Sequence, residues 1–248
     1  MSWRGHVESV RRLEDYMTTN QQSARVLIVG TGKTADIISQ YLRRARIQVL
    51  GYAETNPTSS DHNGLPVYSL DGLESKVEQS VLLFVAIGSR LVNTSRQHIF
   101  ESLRDDGWQF LTYVHPRATV ADTATLGVNC IVMEENVIQD FVSIGDNNIL
   151  WSGNHIGHHT SIGCHNFISS HVVISGNCVI GNNNFFGVNS SLGDGIAVGN
   201  YNWFSPMTSS IKDVGDEQLL LMPKPTIHRM PTLQFFKVPE SDQNKDSL

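Results

Sequence analysis

An apolar residue recurs at every sixth position through the second half of the chain. The sixteen positions run without interruption from Val114 to Phe204, and each holds a branched aliphatic residue or a phenylalanine. A period of six fits neither a helix face, which repeats every 3.6 residues, nor one flat strand, which repeats every two. It fits a chain that makes one short strand and one corner per repeat. The sequence therefore predicts a parallel β-helix.

Three such repeats close one triangular coil, so residues eighteen positions apart stack as neighbours at a spacing of about 4.8 Å. The recurring apolar residue points inward, and a second, small inward residue lies four positions later, as at Ala124, Cys130, Thr160, Cys178 and Ser190. Glycine often follows the apolar residue directly, and we expect a sharp bend there that favours a residue without Cβ. These glycines are Gly127, Gly145, Gly157, Gly163, Gly181, Gly187, Gly193 and Gly199.

Composition narrows the class of protein. The chain has 248 residues, a formal net charge of −6 and no cluster of basic residues, which argues against a nucleic-acid or membrane-surface partner. No apolar stretch approaches the roughly 18 residues of a spanning helix, and no signal-like segment follows Met1, so we expect a cytoplasmic protein. The three cysteines lack metal or disulfide spacing and are expected to be reduced and packed as small apolar groups.

Residues 25–113 follow a different pattern. The strand-like run Arg25–Val29 leads into the turn Gly30–Ala35 and then into a helical spacing over Asp36–Arg44. Two further strand-like runs, 49–53 and 81–87, precede a helix at 94–107. Alternating strands and helices predict a small, Rossmann-like parallel α/β domain.

The carboxyl ends of parallel strands are where such sheets bind ligands, and glycine turns offer helix amides to a phosphate. Here the strand ends bring together Gly30, Gly32, Glu54, Gly88 and Ser89. A nucleotide or nucleotide-sugar site is predicted at this edge. The competing interpretation is a turn that serves packing alone, because Ala35 replaces the third glycine of the dinucleotide fingerprint.

The two ends of the chain complete the predicted organisation. Residues 1–24 have apolar residues at helical spacing and are interpreted as a docking helix or a frayed arm. The β-helix is assigned to 114–212, and 213–248 to a cap that contains a possible short helix at 216–221 and a charged tail from Pro239.

Five of the ten histidines lie between positions 155 and 171, namely His155, His158, His159, His165 and His171. Since the inward positions are already occupied, these side chains are expected to point outward. A single outward histidine is usually a solvated surface residue, but a cluster beside two glycine corners indicates a functional site.

Stacking at eighteen residues selects one column in this cluster. His158 has Asp140 one coil earlier and Gly176 one coil later. We expect the Asp140 carboxylate within about 5 Å of His158, where it would orient the imidazole and raise its basicity. The backbone N–H of Gly176 can stabilise an oxyanion beside it. This combination suits acyl transfer, with the imidazole taking a proton from an amine or hydroxyl.

The glycine turn Gly30-Thr31-Gly32, the strand end Ala86-Ile87-Gly88, the junction His115-Pro116 and the hexapeptide prism together resemble the bacterial sugar acetyltransferases. This family is typified by sialic acid O-acetyltransferases and UDP-4-amino-sugar N-acetyltransferases, and the likeness covers about residues 25–227. The resemblance implies a left-handed parallel β-helix, a homotrimer, and acetyl-CoA bound as co-substrate between neighbouring prisms.

The resemblance also assigns residues. It implies His158 as catalytic base and Gly176 as the oxyanion amide. Cofactor contacts are predicted at Phe167, Gly176, Gly187 and Gly193, and substrate contacts at Gly30, Gly32, Lys33, Glu54, Gly88 and Ser89. Two positions depart from the family pattern. His159 stands where a carboxylate usually follows the base, which leaves Asp140 as the acidic partner, and Phe167 stands where some members have a histidine.

The predicted function is acetyl-CoA-dependent N- or O-acetylation of a nucleotide-linked sugar for surface polysaccharide. One alternative is a zinc enzyme of the γ-carbonic-anhydrase type, with His158, His165 and His171 as ligands. The nucleotide-type domain argues against it. The other alternative is a non-catalytic trimeric scaffold or sugar-nucleotide sensor.

Overall fold

The computed structural model describes residues 11–12, 24–223 and 227–239. After a short strand β1 (Arg11–Arg12), residues 25–113 form a five-stranded sheet with helices α1 (Lys33–Arg44) and α2 (Thr94–Asp105) and a 3-10 turn at Leu73–Ser75. The strands are β2 (Arg25–Val29), β3 (Gln48–Glu54), β4 (Asp61–His62), β5 (Leu65–Ser69) and β6 (Leu82–Val85). Their order is β4-β5-β3-β2-β6, antiparallel only between β4 and β5.

The predicted parallel α/β sheet is thereby confirmed, although the sequence indicated three strands and missed β4 and β5. Strand β5 contains Pro66 between Leu65 and Val67, which breaks the apolar run that marks a buried strand. The chain passes from β2 to β3 and β5 on one side and then returns to β6 on the other. Such a reversal leaves a crevice between the ends of β2 and β6.

The second half of the chain forms a triangular parallel β-helix, as predicted. Its two-residue strands stack into three faces that the chain visits in turn. Face A comprises β7 (Tyr113–Val114), β10 (Ile131–Val132), β13 (Ile149–Leu150), β16 (Phe167–Ile168), β19 (Phe185–Phe186), β22 (Trp203–Phe204) and β24 (Leu219–Leu220). Face B comprises β8 (Thr119–Val120), β11 (Val137–Ile138), β14 (His155–Ile156), β17 (Val173–Ile174), β20 (Ser191–Leu192) and β23 (Ser209–Ser210). Face C comprises β9 (Thr125–Leu126), β12 (Ser143–Ile144), β15 (Ser161–Ile162), β18 (Val179–Ile180) and β21 (Ala197–Val198).

The interior of the coil follows the six-residue pattern. Residues eighteen apart pair in register, as Ile138 does with Ile156 and Ile156 with Ile174. The recurring apolar residues pack into one core with the small inward residues, and the rings of Phe186 and Phe204 stack at 4.7 Å between centroids. Cys178 is buried in that core, and Cys130 is also buried; both are free thiols. Burial of this apolar column stabilises the fold by the hydrophobic effect.

The reason given above for the corner glycines is wrong. Positive φ angles recur at every sixth residue from Asn129 to Met207, two residues after the glycine position. Seven of the eight glycines are required instead by close stacking of successive coils, and the exception is Gly193, where a Cβ would have no neighbour closer than 3.6 Å. A Cβ on Gly157 would lie 2.4 Å from the amide nitrogen of Gly176, and one on Gly145 would lie 3.0 Å from the carbonyl carbon of Gly163.

Face A packs against the α/β domain. One apolar cluster joins Ile38 and Leu42 of α1 to Ile131, Ile149 and Phe167 of the coil. The side of the sheet away from this cluster packs on Phe100 and Leu103 of α2. The two parts of the chain therefore share a continuous hydrophobic core, which fixes one against the other.

The predictions for the chain ends need correction. The short helix at 216–221 is wrong, because Leu219–Leu220 is a strand that pairs with Trp203–Phe204 and continues face A past residue 212. A four-residue helix, α3 (Thr232–Phe235), follows instead. In the predicted helical leader, Arg11–Arg12 is extended and pairs antiparallel with β9. The rest of the leader and the tail from 240 lie outside the described residues.

Within the described ranges, no helix combines the length and the apolar character that are needed to cross a membrane.

Candidate active site

His158 and His159 lie on the edge between faces B and C, and both side chains are exposed. His159 occupies the left-handed corner position, with φ of 58°, which turns its ring back toward its neighbour. The two Nδ1 atoms are 3.2 Å apart, and the ring of Phe141 lies 4.8 Å from that of His159. One of the two rings must carry hydrogen on Nδ1 to make this bond. When that ring is His158, its Nε2 keeps a free lone pair.

Gly176 lies directly against the His158 ring. A Cβ at position 176 would be 2.9 Å from His158 Nε2, so a side chain there would displace the imidazole. Within the described part of the chain, the N–H of Gly176 donates no hydrogen bond. Gly176 is buried, and only the lack of a side chain on Gly157 leaves room beside its amide, because a Cβ there would lie 2.4 Å from the amide nitrogen. The structure thus brings a histidine ring and an unused amide together.

The predicted column of positions 140, 158 and 176 is present. The strand register aligns Val137, His155 and Val173, and the amide of His159 donates to the carbonyl of Asp140 at 3.0 Å. The Asp140 carboxylate, however, accepts a hydrogen bond from the Thr123 hydroxyl at 2.9 Å. No ion pair links Asp140 to His158 in the part of the chain that the structure describes. His158 contacts His159 instead.

The predicted cofactor residues do not gather at one place in a single chain. Gly176 and Gly193 lie on the edge that carries His158, whereas Gly187 follows a strand of face A. Phe167 points from face A into the α/β domain and is 9% exposed, with its ring 5.5 Å from that of Phe185. Gly187 and Phe167 are therefore separated from His158 by the width of the prism.

A cavity of about 560 Å³ opens at the carboxyl ends of β2, β3 and β6. Five of the six predicted substrate residues line it: Gly30, Gly32, Lys33, Glu54 and Gly88. Ser89 follows immediately but does not line the cavity. Sequence reasoning missed Thr31, Thr34 and Arg90, although all three adjoin the predicted turns. Proximity in sequence to a glycine turn was the signal available for them.

Glycine occupies positions 30 and 32 of this cavity for different structural reasons. Gly30 has φ of +110° and donates its N–H to the carbonyl of Ala53 at 2.8 Å, so its conformation requires glycine. A Cβ on Gly32, by contrast, would meet nothing within 4 Å. The Thr31 hydroxyl donates to the Glu54 carboxylate, which fixes one wall of the cavity. Gly32 therefore leaves open space at the helix start rather than serving local packing.

His165 points outward from the coil, as expected, yet it is not open to solvent. It is covered by α2 and is only 6% exposed. Its Nδ1 accepts a hydrogen bond from the Asn147 amide at 2.8 Å, and its Nε2 lies 3.5 Å from Glu101. Burial, followed by the charges of Arg96 and Arg104, lowers the pKa of His165 to about 3. The half-exposed Glu101 carboxylate does not offset these effects.

The three histidines considered as zinc ligands lie on three different edges. His158 follows face B, His165 follows face C, and His171 follows face A, where its ring packs over Gly153. Among the described residues, no group of three or more histidine, cysteine, aspartate or glutamate side chains could hold a metal ion.

No protein-family model matches the chain, and a search of curated protein sequences finds no match. Solved structures do match. PerB from Caulobacter crescentus, in complex with CoA and GDP-perosamine, is 27% identical over 79% of this chain and 93% of that chain, with a TM-score of 0.72. A variant of perosamine N-acetyltransferase from the same organism, with one histidine replaced, gives 27% identity and a TM-score of 0.73, covering 79% and 92% of the two chains.

The acetyltransferase domain of PglB from Neisseria gonorrhoeae matches with a TM-score of 0.71 over 79% of this chain and 95% of that chain. At 21% identity it supports the fold alone. The PerB match spans 79% of this chain and therefore includes parts of both the α/β domain and the coil. The predictions of an acyl-CoA-dependent enzyme with acetyl-CoA as co-substrate are confirmed, and so is the resemblance of the chain to the hexapeptide-repeat sugar acetyltransferases.

Proposed function

We propose that the protein transfers an acetyl group from acetyl-CoA to an amino or hydroxyl group of a nucleotide-linked sugar. The observation that carries this proposal is the structural match to PerB, which was crystallised with CoA and GDP-perosamine. The match spans 79% of this chain, which is more than either the α/β domain or the coil could supply alone. A nucleotide cavity and an acyl-transfer edge in one chain account for both substrates.

In this proposal His158 is the general base. Its Nε2 takes a proton from the acceptor amine or hydroxyl as the acceptor attacks the thioester carbonyl. A tetrahedral oxyanion forms, and the unused N–H of Gly176 stabilises it. The carbon–sulfur bond then breaks, and the proton passes from the imidazolium to the departing CoA thiolate. The product is an amide or ester of acetate and free CoA.

His159 and Asp140 have different roles in this scheme. His159 accepts the Nδ1 hydrogen of His158 and thereby holds the tautomer whose Nε2 is free, as judged from the 3.2 Å contact. Asp140 acts at longer range, because its carboxylate is engaged by the Thr123 hydroxyl. It contributes a negative charge near the imidazolium, an effect that solvent screens. His159 is therefore the positioning residue and Asp140 the minor partner.

The nucleotide occupies the strand-end cavity. Lys33 and Arg90 are exposed cations that line it, and a diphosphate is the group of a nucleotide sugar that they attract. The Glu54 carboxylate, which also lines the cavity, can accept hydrogen bonds from hydroxyl groups. The cavity volume of about 560 Å³ falls within the usual range for small-ligand sites.

A homotrimer completes the site. Three apolar side chains around the His158 edge are strongly exposed in a single chain, namely Phe141 at 58%, Val173 at 44% and Val179 at 59%. Contiguous exposed apolar surface of this kind marks an interaction site. A neighbouring prism packed there covers these side chains and forms the second wall of an acetyl-CoA cleft. Gly187, which lies on another edge, then contributes to the cleft only through a neighbouring copy, whereas Phe167 is covered by the α/β domain of its own chain and does not line the cleft.

The proposal is tested by incubating the protein with acetyl-CoA and a panel of nucleotide-linked amino and deoxy sugars. We expect one class of sugar to gain the mass of an acetyl group, with release of an equal amount of free CoA thiol. Binding of nucleotide sugars without thiol release would favour the non-catalytic sensor. The residues of one chain do not favour the zinc alternative, because its three histidines lie on separate edges.

Gly32→Val tests the nucleotide cavity separately. Because a Cβ there meets open space, the fold should tolerate the change while the added side chain occupies the cavity. We expect the KM for the nucleotide sugar to rise and the KM for acetyl-CoA to stay constant. Gly215→Val is the matched control, since Gly215 also has no neighbour within 4 Å but lies at the far end of the coil. If neither constant moves in Gly32→Val, the turn has no part in binding.

A further inference from the structure

Arg96 is the largest fully buried side chain in the described residues, and it has no acidic partner there. It is 0% exposed, and none of the ion pairs formed within the described ranges includes it. Burial lowers its pKa to about 9, so it stays mainly protonated at neutral pH. A buried cation without a carboxylate is costly unless its donors are all satisfied. The structure satisfies them with five backbone carbonyl groups and the side-chain oxygen of Asn93.

These carbonyl groups belong to two separate parts of the chain. From the coil, Arg96 Nη2 donates to the carbonyls of His165 at 2.8 Å and Asn166 at 3.1 Å, and Nε donates to that of Asn147 at 3.4 Å. From the α/β domain, Nη1 donates to the carbonyls of Ile87 and Gly88, each at 3.2 Å. One guanidinium thus ties the end of β6 to the coil.

The two carbonyls at the end of β6 determine where the next amides point. In a trans peptide the C=O of one residue and the N–H of the next point in opposite directions, and the described chain has no cis bonds. The carbonyls of Ile87 and Gly88 face Arg96, so the N–H groups of Gly88 and Ser89 face away from it. Among the described residues, neither amide donates a hydrogen bond. Gly88 and Arg90 line the strand-end cavity, and the Ser89 amide lies between them in the chain.

We propose that Arg96 is a positioning residue that holds the amides of Gly88 and Ser89 toward the cavity, where they bind the diphosphate of the nucleotide sugar. This inference rests on the proposed function and names the part of the substrate that this edge recognises. Two adjacent free amides form a concave donor site that suits phosphate oxygens. Through Arg96, the coil sets the conformation of the loop after β6. That loop faces the nucleotide sugar, whereas the coil itself faces acetyl-CoA. No contact between Arg96 and substrate is implied.

The first test compares kinetics in Arg96→Gln, Arg96→Lys and the control Arg104→Gln. We expect Arg96→Gln to raise the KM for the nucleotide sugar about tenfold or more while the KM for acetyl-CoA changes less than twofold. Arg96→Lys should be intermediate, because an ammonium group reaches fewer carbonyls. Arg104 lies on the same helix, is half-exposed and does not contact the β6 loop, so its variant should change neither constant. Equal effects on both KM values in folded Arg96→Gln would overturn the proposal.

A second test uses the unmodified protein and holds even if the Arg96 variants fail to fold. Hydrogen exchange is followed by mass spectrometry with and without GDP, and separately with UDP and with the free nucleosides. We expect a nucleoside diphosphate, but not a nucleoside, to slow exchange in the peptide that covers residues 86–93. Protection confined to other peptides would refute the role of the Gly88 and Ser89 amides.

The outcomes separate this inference from the proposed function. If the protein acetylates a nucleotide sugar but residues 86–93 are not protected from hydrogen exchange, the role of the Gly88 and Ser89 amides is refuted and the proposed function stands. Failure of GDP, UDP and every nucleotide sugar to bind would sink both. Protection of this peptide together with the split between the two KM values supports both.

Discussion

Two neighbouring edges of the coil carry histidines in the same backbone setting and give them different chemistry. His159 and His165 are six residues apart, and both occupy the left-handed corner position, with φ of 58° and 64°. His159 is exposed and contacts His158, whereas His165 is buried under α2 and bonded to Asn147. The repeat sets the backbone equally at both corners. What packs outside each corner decides whether the imidazole meets solvent or a second domain.

The edge that carries His165, called the covered edge because α2 packs over it, joins the coil to the sheet. Asn129 donates to Asn147 at 2.7 Å, Asn147 donates to His165 at 2.8 Å, and Asn129 also accepts from the amide of Val85 in β6. This buried polar column connects the sheet to the coil, and each lost partner would leave an unsatisfied group. The exposed edge carries no such network with the α/β domain. Substitutions at equivalent corners should therefore affect stability on one edge and catalysis on the other.

The largest expected effect is on the exposed edge. We predict that His158→Ala lowers kcat by a factor of about 10² to 10⁴, because the acceptor loses its general base. The melting temperature should stay within about 2 °C, since an exposed side chain contributes little to folding. His171→Asn is the control, as it removes another exposed corner histidine without touching the proposed base. Near-normal kcat in His158→Ala would show that another group accepts the proton.

The second effect is on the covered edge. Asn147→Gly keeps a residue suited to positive φ but removes the amide that bonds both Asn129 and His165. We predict a loss of about 2 kcal/mol in the free energy of unfolding. Asn177→Gly makes the same change at an exposed corner and should cost less than about 0.5 kcal/mol. Urea or thermal unfolding measures both, and equal losses would erase the proposed distinction between the edges.

The third effect is a pH dependence. The pKa of His165 is lowered in the folded protein to about 3, so between about pH 6.5 and 3 the unfolded chain binds more protons at this group than the folded chain does. The contribution of the neutral His165 ring to the free energy of unfolding is thus fully present above about pH 6.5 and is lost as the pH falls toward 3. His165→Asn, which repeats the asparagine of the column, should reduce that loss by about 2 kcal/mol at pH 5. Parallel pH profiles of melting temperature would count against a buried neutral ring.

The smallest expected effect concerns Asp140. We predict that Asp140→Asn lowers kcat less than tenfold, because only a screened negative charge is lost near the imidazolium that forms during the reaction. The fold should be unaffected, since the amide oxygen can still accept from Thr123. Steady-state kinetics at saturating acetyl-CoA measure the change in kcat. A decrease as large as that of His158→Ala would mean that the carboxylate contacts the base directly in the assembled enzyme.

Much of the fold could be predicted because the repeat is local. The period of six determined the coil, its inward residues and its eighteen-residue stacking, and the strand ends determined where Gly30 and Gly88 meet. The covered edge could not be predicted, because it depends on contacts between residues far apart in sequence, such as Arg96 with Asn147 and His165. Nothing local marks Arg96 as buried rather than solvated on its helix.

The histidine cluster shows where the sequence was over-interpreted. His159, His165 and His171 each occupy the corner position with positive φ, where asparagine and histidine are tolerated. Asparagines at 129, 147, 177, 183 and 189 occupy the same position, and this six-residue spacing was visible in the sequence. Three of the five clustered histidines are therefore explained by backbone geometry. Of the other two, His155 lies in strand β14 on face B, and His158 lies against Gly176.

The regular left-handed corner has a practical consequence for redesign. Each corner side chain projects from a backbone that its own sequence hardly perturbs, provided that the replacement tolerates positive φ. Corner residues along an exposed edge could be exchanged one coil at a time for other hydrogen-bond donors, acceptors or rings, while the inward-facing core stays unchanged. The preference for one acetyl acceptor over another could then be changed by substituting corner residues near His158, without altering the edge that α2 covers.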